Sequence, residues 1–157
     1  MDKKDKLFSY IDIALHQLYI NDSYLINHKP RIHERNGAHY VGERAIVFRF
    51  AHYLQNLISE DKDFCLLNLD CEYNRNGDDP KRLPSFPRGV FPDLIIHQRG
   101  SNDKNLLVME FKTYWNHNQE EDFLKIQELV DKKGIYQFEY GIAVLIEKDG
   151  AKCTMFT

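Results

Sequence analysis

The chain is 157 residues long, 43% hydrophobic and 29% charged, with a formal net charge of −3. That length allows one domain with a real core, and the slight acidity carries no global nucleic-acid signal. No segment approaches the roughly eighteen apolar residues of a membrane helix, and Met1-Asp-Lys-Lys-Asp-Lys6 opens no signal-length apolar run, so a cytoplasmic protein without a membrane partner is expected.

Residues 4–20 place Leu7, Ile11, Ala14, Leu15 and Leu18 at helical spacing. Residues 27–40 are polar and basic and read as a loop. His33-Glu34 with His39 has the wrong spacing for a helical HExxH zinc protease. A second helix is predicted over 41–59, with Val47, Phe50, Leu54, Leu57 and Ile58 on its apolar stripe. Glu43 lies one turn before Val47 on that stripe, where an apolar residue is expected. The plain alternative is an acid favoured by the dipole at a helix start.

Phe64–Tyr73 reads as a strand. Cys65 and Cys71 would then stand about 20 Å apart along it, too far to bond. Three cysteines without CxxC argue against a disulfide framework and a structural zinc site, so they are expected to be small core residues. A loop of about eighteen residues follows, with Gly77, Pro80, Pro84, Pro87 and Gly89, and loops of that length are usually functional or disordered. Glu72-x-Asn74-x-Asn76-Gly77-Asp78 starts like a calcium loop, but its twelfth position is Leu83 rather than a bidentate glutamate. No glycine-rich phosphate cradle is present, which argues against ATP dependence.

The most informative stretch comes next. Phe91-Pro92-Asp93-Leu-Ile-Ile-His97 and Leu106-Leu-Val-Met-Glu110-Phe111-Lys112 flank the turn formers of residues 99–104, so a hairpin is predicted. A turn centred between Ser101 and Asn102 sets Asp93 opposite Glu110, Ile95 opposite Val108 and His97 opposite Leu106. Period-2 alternation puts Lys112 on the face of Glu110, with Leu107, Met109 and Phe111 on the other. Facing carboxylates repel, and a divalent cation between them would remove the penalty. Pro-Asp and ExK are each common alone. On facing strands and one face they point to chemistry, because charged groups rarely sit buried unless paired or metal-bound. His97 reads as a hairpin-end histidine.

Residues 119–132 are predicted helical, with Phe123, Ile126, Leu129 and Val130 inward and Gly134 as terminator. Gly141–Ile146 is an apolar interior strand, and Ala151–Phe156 would pair with it across Lys148-Asp149-Gly150. This order gives an α/β fold, a mixed sheet flanked by helices, without repeats or a second domain.

The order and these residues resemble the PD-(D/E)xK nuclease superfamily, the restriction-endonuclease-like three-layer fold. The matching parts are Glu43 on a helix, the 64–73 strand, Pro92-Asp93, Glu110-Phe111-Lys112, the 119–132 helix and the 141–146 strand. The resemblance covers residues 40–147, leaving 1–39 as an N-terminal helical addition for specificity or dimerisation and 148–157 as a C-terminal strand. Glu72-Tyr73-Asn74-Arg75 and Asp122-x-x-Lys125-Ile126 look like stretches of small bacterial and phage members.

The resemblance implies a Mg²⁺- or Mn²⁺-dependent DNA endonuclease of restriction, repair or recombination type, with RNA open as a substrate. Asp93, Glu110 and the backbone carbonyl of Phe111 would hold the metal, and Glu43 would reach it directly or through water. Lys112 would orient the attacking water or stabilise the phosphorus centre. Glu72 and Lys125 are accessory candidates. Read without the family, Glu72 is a solvated or salt-bridged residue and Lys125 an exposed lysine paired with Asp122 or Glu121. All eight arginines fall between Arg31 and Arg99, and their fork suits phosphate. Arg75, Lys81, Arg82 and Arg88 are the nucleic-acid contact candidates. Duplex cleavage by so small a domain would favour a homodimer. The alternatives are a catalytically silent nucleic-acid-binding or regulatory protein on the same fold, and an interaction domain whose acids simply pair with Lys112.

Overall fold

The computed structural model describes residues 1–28, 31–33 and 37–157, apart from the side chains of 31–39. In chain order the elements are α1 (Lys3–Asn21), α2 (Ser23–Asn27), β1 (Arg31–His33), β2 (Gly37–His39), α3 (Glu43–Ser59), β3 (Asn68–Cys71) and β4 (Arg75–Asn76). They continue with β5 (Asp79–Pro80), β6 (Leu94–His97), β7 (Leu107–Thr113), α4 (Glu120–Val130), β8 (Tyr140–Ile146) and β9 (Ala151–Phe156).

A five-stranded mixed sheet runs in the order β3-β6-β7-β8-β9. Every neighbouring pair is antiparallel except β7 and β8, which are parallel and joined through α4. A parallel pair needs such a crossover, and a helix is the usual one. The β6–β7 hairpin has the predicted register: Ile95 faces Val108, with Leu94 opposite Met109 and Ile96 opposite Leu107. Gly100 at φ +78 turns the chain between the two strands.

Alternation along the strands divides the apolar residues between two helical layers. Leu94, Ile96, Leu107, Met109 and Phe111 pack with Leu7, Ile11 and Leu18 of α1 and Phe50 and Leu54 of α3. Ile95, Val108 and Ala143 pack with Ile126, Leu129 and Val130 of α4. The expectation of an α/β sheet with helices on its faces therefore holds. Residues of α1 share this core with α3 and the sheet.

Gly141 sets how closely α4 approaches. A Cβ at this position would meet Ile126 Cγ2 inside contact distance and Val130 Cγ1 at 2.9 Å. Gly141→Ala is expected to destabilise the protein by about 1–3 kcal/mol, the usual cost of overpacking. Urea unfolding measures it, and an unchanged midpoint would refute the close approach.

Several expected boundaries are corrected. Phe64–Leu67 is not strand: turn bonds from Phe64 N–H and Cys65 N–H to the Asp61 carbonyl, at 3.0 and 2.8 Å, carry the chain off α3 before β3 begins. Cys65, Cys71 and Cys153 are exposed rather than core residues. The long loop after β3 holds the β4–β5 hairpin and buries Leu83 and Val90. Residues 27–40 contain the β1–β2 hairpin rather than only loop; Glu34 and the side chains of His33 and His39 lie outside the described residues. Among the described residues, no helix is long and apolar enough to cross a membrane.

Candidate functional site

The site forms where β6 begins and β7 runs past it. The β6 ladder starts at Leu94, so the backbone of Phe111 extends beyond it. Asp93 takes the place of the next ladder bond: its Oδ2 accepts from Phe111 N–H at 2.7 Å. A strand residue directs its N–H and carbonyl to the same side, so the Phe111 carbonyl also faces this gap. It lies 3.5 Å from Lys112 Nζ.

Glu110, one residue earlier on β7, is 1% exposed. Its Oε2 accepts from Lys125 Nζ at 2.9 Å, and its Oε1 has no partner among the described residues. Burial, and then the nearby Asp93 charge, push its carboxyl well above the ordinary range. Burial likewise raises the Asp93 and Glu43 carboxyls. These shifts are what low-dielectric surroundings and mutual repulsion produce.

The first turns of α3 and α4 close the site. Glu43 comes from α3, and Asp122, itself buried, comes from α4. Lys112 sits between them, with Nζ 3.0 Å from Asp122 Oδ2 and 3.6 Å from Glu43 Oε1. Lys125 Nζ also lies 3.7 Å from Asp122 Oδ1. Acids in both first turns suit the positive ends of the helix dipoles. Glu43 Oε2 is buried without a partner among the described residues.

Beside this cluster, Glu43, Val47, Cys71, Glu72 and Asp93 line a cleft of about 280 Å³. Glu72 stands in left-handed backbone at φ 52 and pairs with Arg44 at 2.7 Å. That pair is well exposed, so it adds little stability. Although Cys71 is exposed as a residue, desolvation of its thiol against the cleft wall pushes it up to about 11, leaving it protonated and a poor ligand at neutral pH.

The expected residues Glu43, Asp93, Glu110 and Lys112 thus come together, with Glu72 on the adjoining cleft. Lys125 belongs with them, its side chain 13% exposed rather than out on the helix surface. Asp122 is missing from the sequence-derived set of site residues, although its signal is there. It lies one turn before Ile126 on the inward stripe of α4, an acid in an apolar row. Arg75, Arg82 and Arg88 are exposed, whereas Lys81 is 1% exposed, set back from the outer surface in the wall of a second cleft. His97 is buried as well, its Nε2 2.8 Å from Asp70 Oδ2 and its ring edge-on to Tyr73. That makes it a packed core histidine.

Among the described residues, no three His, Cys, Asp or Glu side chains stand grouped as a ready-made cation site. The two lysine ammonium groups lie among the acids instead. Four carboxylates (Glu43, Asp93, Glu110 and Asp122) against two ammonium groups leave two negative charges when all are ionised. Comparison with protein-family models, curated proteins and solved structures finds no match for this chain.

Proposed function

We propose that the protein is a Mg²⁺- or Mn²⁺-dependent endonuclease hydrolysing phosphodiester bonds of DNA, on a restriction-endonuclease-like fold of the PD-(D/E)xK kind. The observation that carries the reading is Glu110: an acid 1% exposed, beside Asp93, with one carboxylate oxygen unpartnered among the described residues. A buried acid with an open oxygen costs stability unless something fills the valence. The Phe111 carbonyl beyond the end of β6 and the unpartnered Glu43 Oε2 add hard oxygen donors, which suit Mg²⁺ or Mn²⁺. Asp93, Glu110, the Phe111 carbonyl and Glu43 would hold the ion.

When bound, such an ion acidifies a water and offsets charge on the phosphate. The protein's own residues do the rest. Asp93 is aimed by the Phe111 N–H. Lys112 can release Asp122 or Glu43 and turn its ammonium to the developing phosphate charge. Lys125 holds Glu110 Oε2, leaving Oε1 for the ion. One such cluster stands among the described residues, so cutting both strands of a duplex calls for two copies.

The lysines among the acids also favour a second reading, a silent binding module whose acids are partly neutralised by Lys112 and Lys125. Purified protein incubated with plasmid, single-stranded DNA and RNA, in Mg²⁺, Mn²⁺ or EDTA, separates the two. Metal-dependent cutting lost in Asp93→Ala is the expected result. Absence of cutting on every substrate, or cutting that survives EDTA or Asp93→Ala, rejects the nuclease reading.

A further inference from the structure

At the other end of the β6–β7 hairpin lies a second cleft of about 200 Å³, lined by Tyr73, Arg75, Lys81, His97, Ser101 and Asn102 among others. His97 closes β6 where Asp93 opens it, so roughly 13 Å of strand separates this cleft from the acid cluster. Its unexplained member is Lys81, which is 1% exposed. The backbone there is pinned: Lys81 N–H donates to the Asn74 carbonyl at 2.6 Å, and its own carbonyl accepts from Val90 N–H at 2.8 Å. The side chain is therefore held inward by the fold rather than by chance.

Its Nζ lies 4.4 Å from the Tyr136 ring centroid, 5.8 Å from Tyr73 and 6.0 Å from Phe138. Among the described residues, no carboxylate pairs with it, and burial is the influence acting on its charge. Aromatic faces return only part of what desolvating a cation costs. An ammonium group in this setting lacks its counter-ion. The lining of the cleft contains no carboxylate, while Arg75 adds a second cation. Asp70, the nearest acid behind His97, is taken up by His97 and Arg99.

We propose that this cleft binds a phosphate group, as the free ion or as the terminal phosphate of a small ester, between the Lys81 ammonium and the Arg75 guanidinium. Arg75 supplies the planar fork and Lys81 a buried point charge, the two complementary ways of holding phosphate oxygens. The site stands independently of the nuclease reading.

A pH signature belongs to it. Burial lowers the Lys81 ammonium to about 8. His97 is lowered by burial from 6.5 and is already neutral above that value, and Tyr136 is raised above 10. Between about pH 7 and about pH 9, Lys81 is therefore the cleft group that loses charge, while phosphate only gains it. Affinity falls as pH rises through this window, against the trend of the ligand's own titration. Reciprocally, bound phosphate raises the Lys81 pKa.

Calorimetric titration of the full chain with inorganic phosphate, and separately with a 5′-mononucleotide, tests the site at fixed ionic strength. Wild-type protein is expected to bind. Lys81→Met and Arg75→Gln are each expected to weaken binding by about tenfold or more, as loss of a charge-assisted contact does. Tighter binding of the mononucleotide assigns the ester as ligand, and equal or weaker binding assigns the free ion. Arg75 is exposed, so Arg75→Gln decides the matter even if Lys81→Met fails to fold. No phosphate binding by the wild type, equal affinity in Arg75→Gln, or an affinity that does not fall between about pH 7 and about pH 9 overturns the proposal.

Discussion

Lys112→Met is expected to lower the rate of the proposed metal-dependent cleavage by about 10²–10³-fold, the usual cost of removing one preorganised donor from a developing oxyanion. The geometry sets the expectation apart from a general loss of structure. Lys112 lies at the end of β7 with Nζ 3.0 Å from Asp122 and 3.6 Å from Glu43, its side chain 19% exposed. It has acids to rest on but is not locked into the core. Its ammonium also competes with any cation for Glu43 and the Phe111 carbonyl. Removing it should therefore leave Mn²⁺ binding intact or tighter while cleavage collapses. Titration of Mn²⁺ by calorimetry, run beside single-turnover cleavage, reads both quantities. A variant that loses metal binding and cleavage together would show Lys112 to be structural, and one that cleaves at the wild-type rate would remove it from the mechanism.

What the sequence discloses, and what it withholds, follows from the range of each interaction. The α1 stripe of Leu7, Ile11, Ala14, Leu15 and Leu18 is buried as its spacing predicts, because helical period is a local property. The hairpin register is also readable, since turn chemistry and two alternating patterns constrain it together. From that register comes the convergence of Asp93 and Glu110. By contrast, Lys125 and Asp122 depend on where α4 lands on the sheet, which Gly141 permits by lacking a side chain. Nothing near residue 122 announces a glycine at 141. Lys81 is hidden for a related reason. In sequence it stands among prolines and charges, yet the fold closes Tyr136 and Phe138 over it from a distant segment. Cys65 misleads because its apolar run has the composition of a strand, whereas the bonds to Asp61 have already turned the chain.

The largest stability effect is expected from Lys125→Met. Its ammonium lies 2.9 Å from Glu110 Oε2, with the two side chains 13% and 1% exposed. Removing one partner of a buried pair strands the other, at a typical cost of about 3–5 kcal/mol. The stranded acid can escape by taking up a proton, so the cost depends on pH in a calculable direction. The folded carboxyl of Glu110 already lies above its ordinary 4.5, so in that window the folded state binds more protons than the unfolded one. Stability contributed by Glu110 is then present below 4.5 and is lost as pH rises through the folded value. Deleting Lys125 removes an influence that lowers that value, which extends the window upward and deepens the loss at neutral pH. Glu110→Gln abolishes the titration, so Lys125→Met should cost far less when added to Glu110→Gln, and the double-mutant cycle should return a large coupling. Urea unfolding of the four proteins in EDTA, from acid to neutral pH, measures slope and coupling together. If Lys125→Met costs the same at every pH and in both backgrounds, Glu110 is not the charge that Lys125 compensates, and the unpartnered oxygen on which the proposed metal site rests loses its significance.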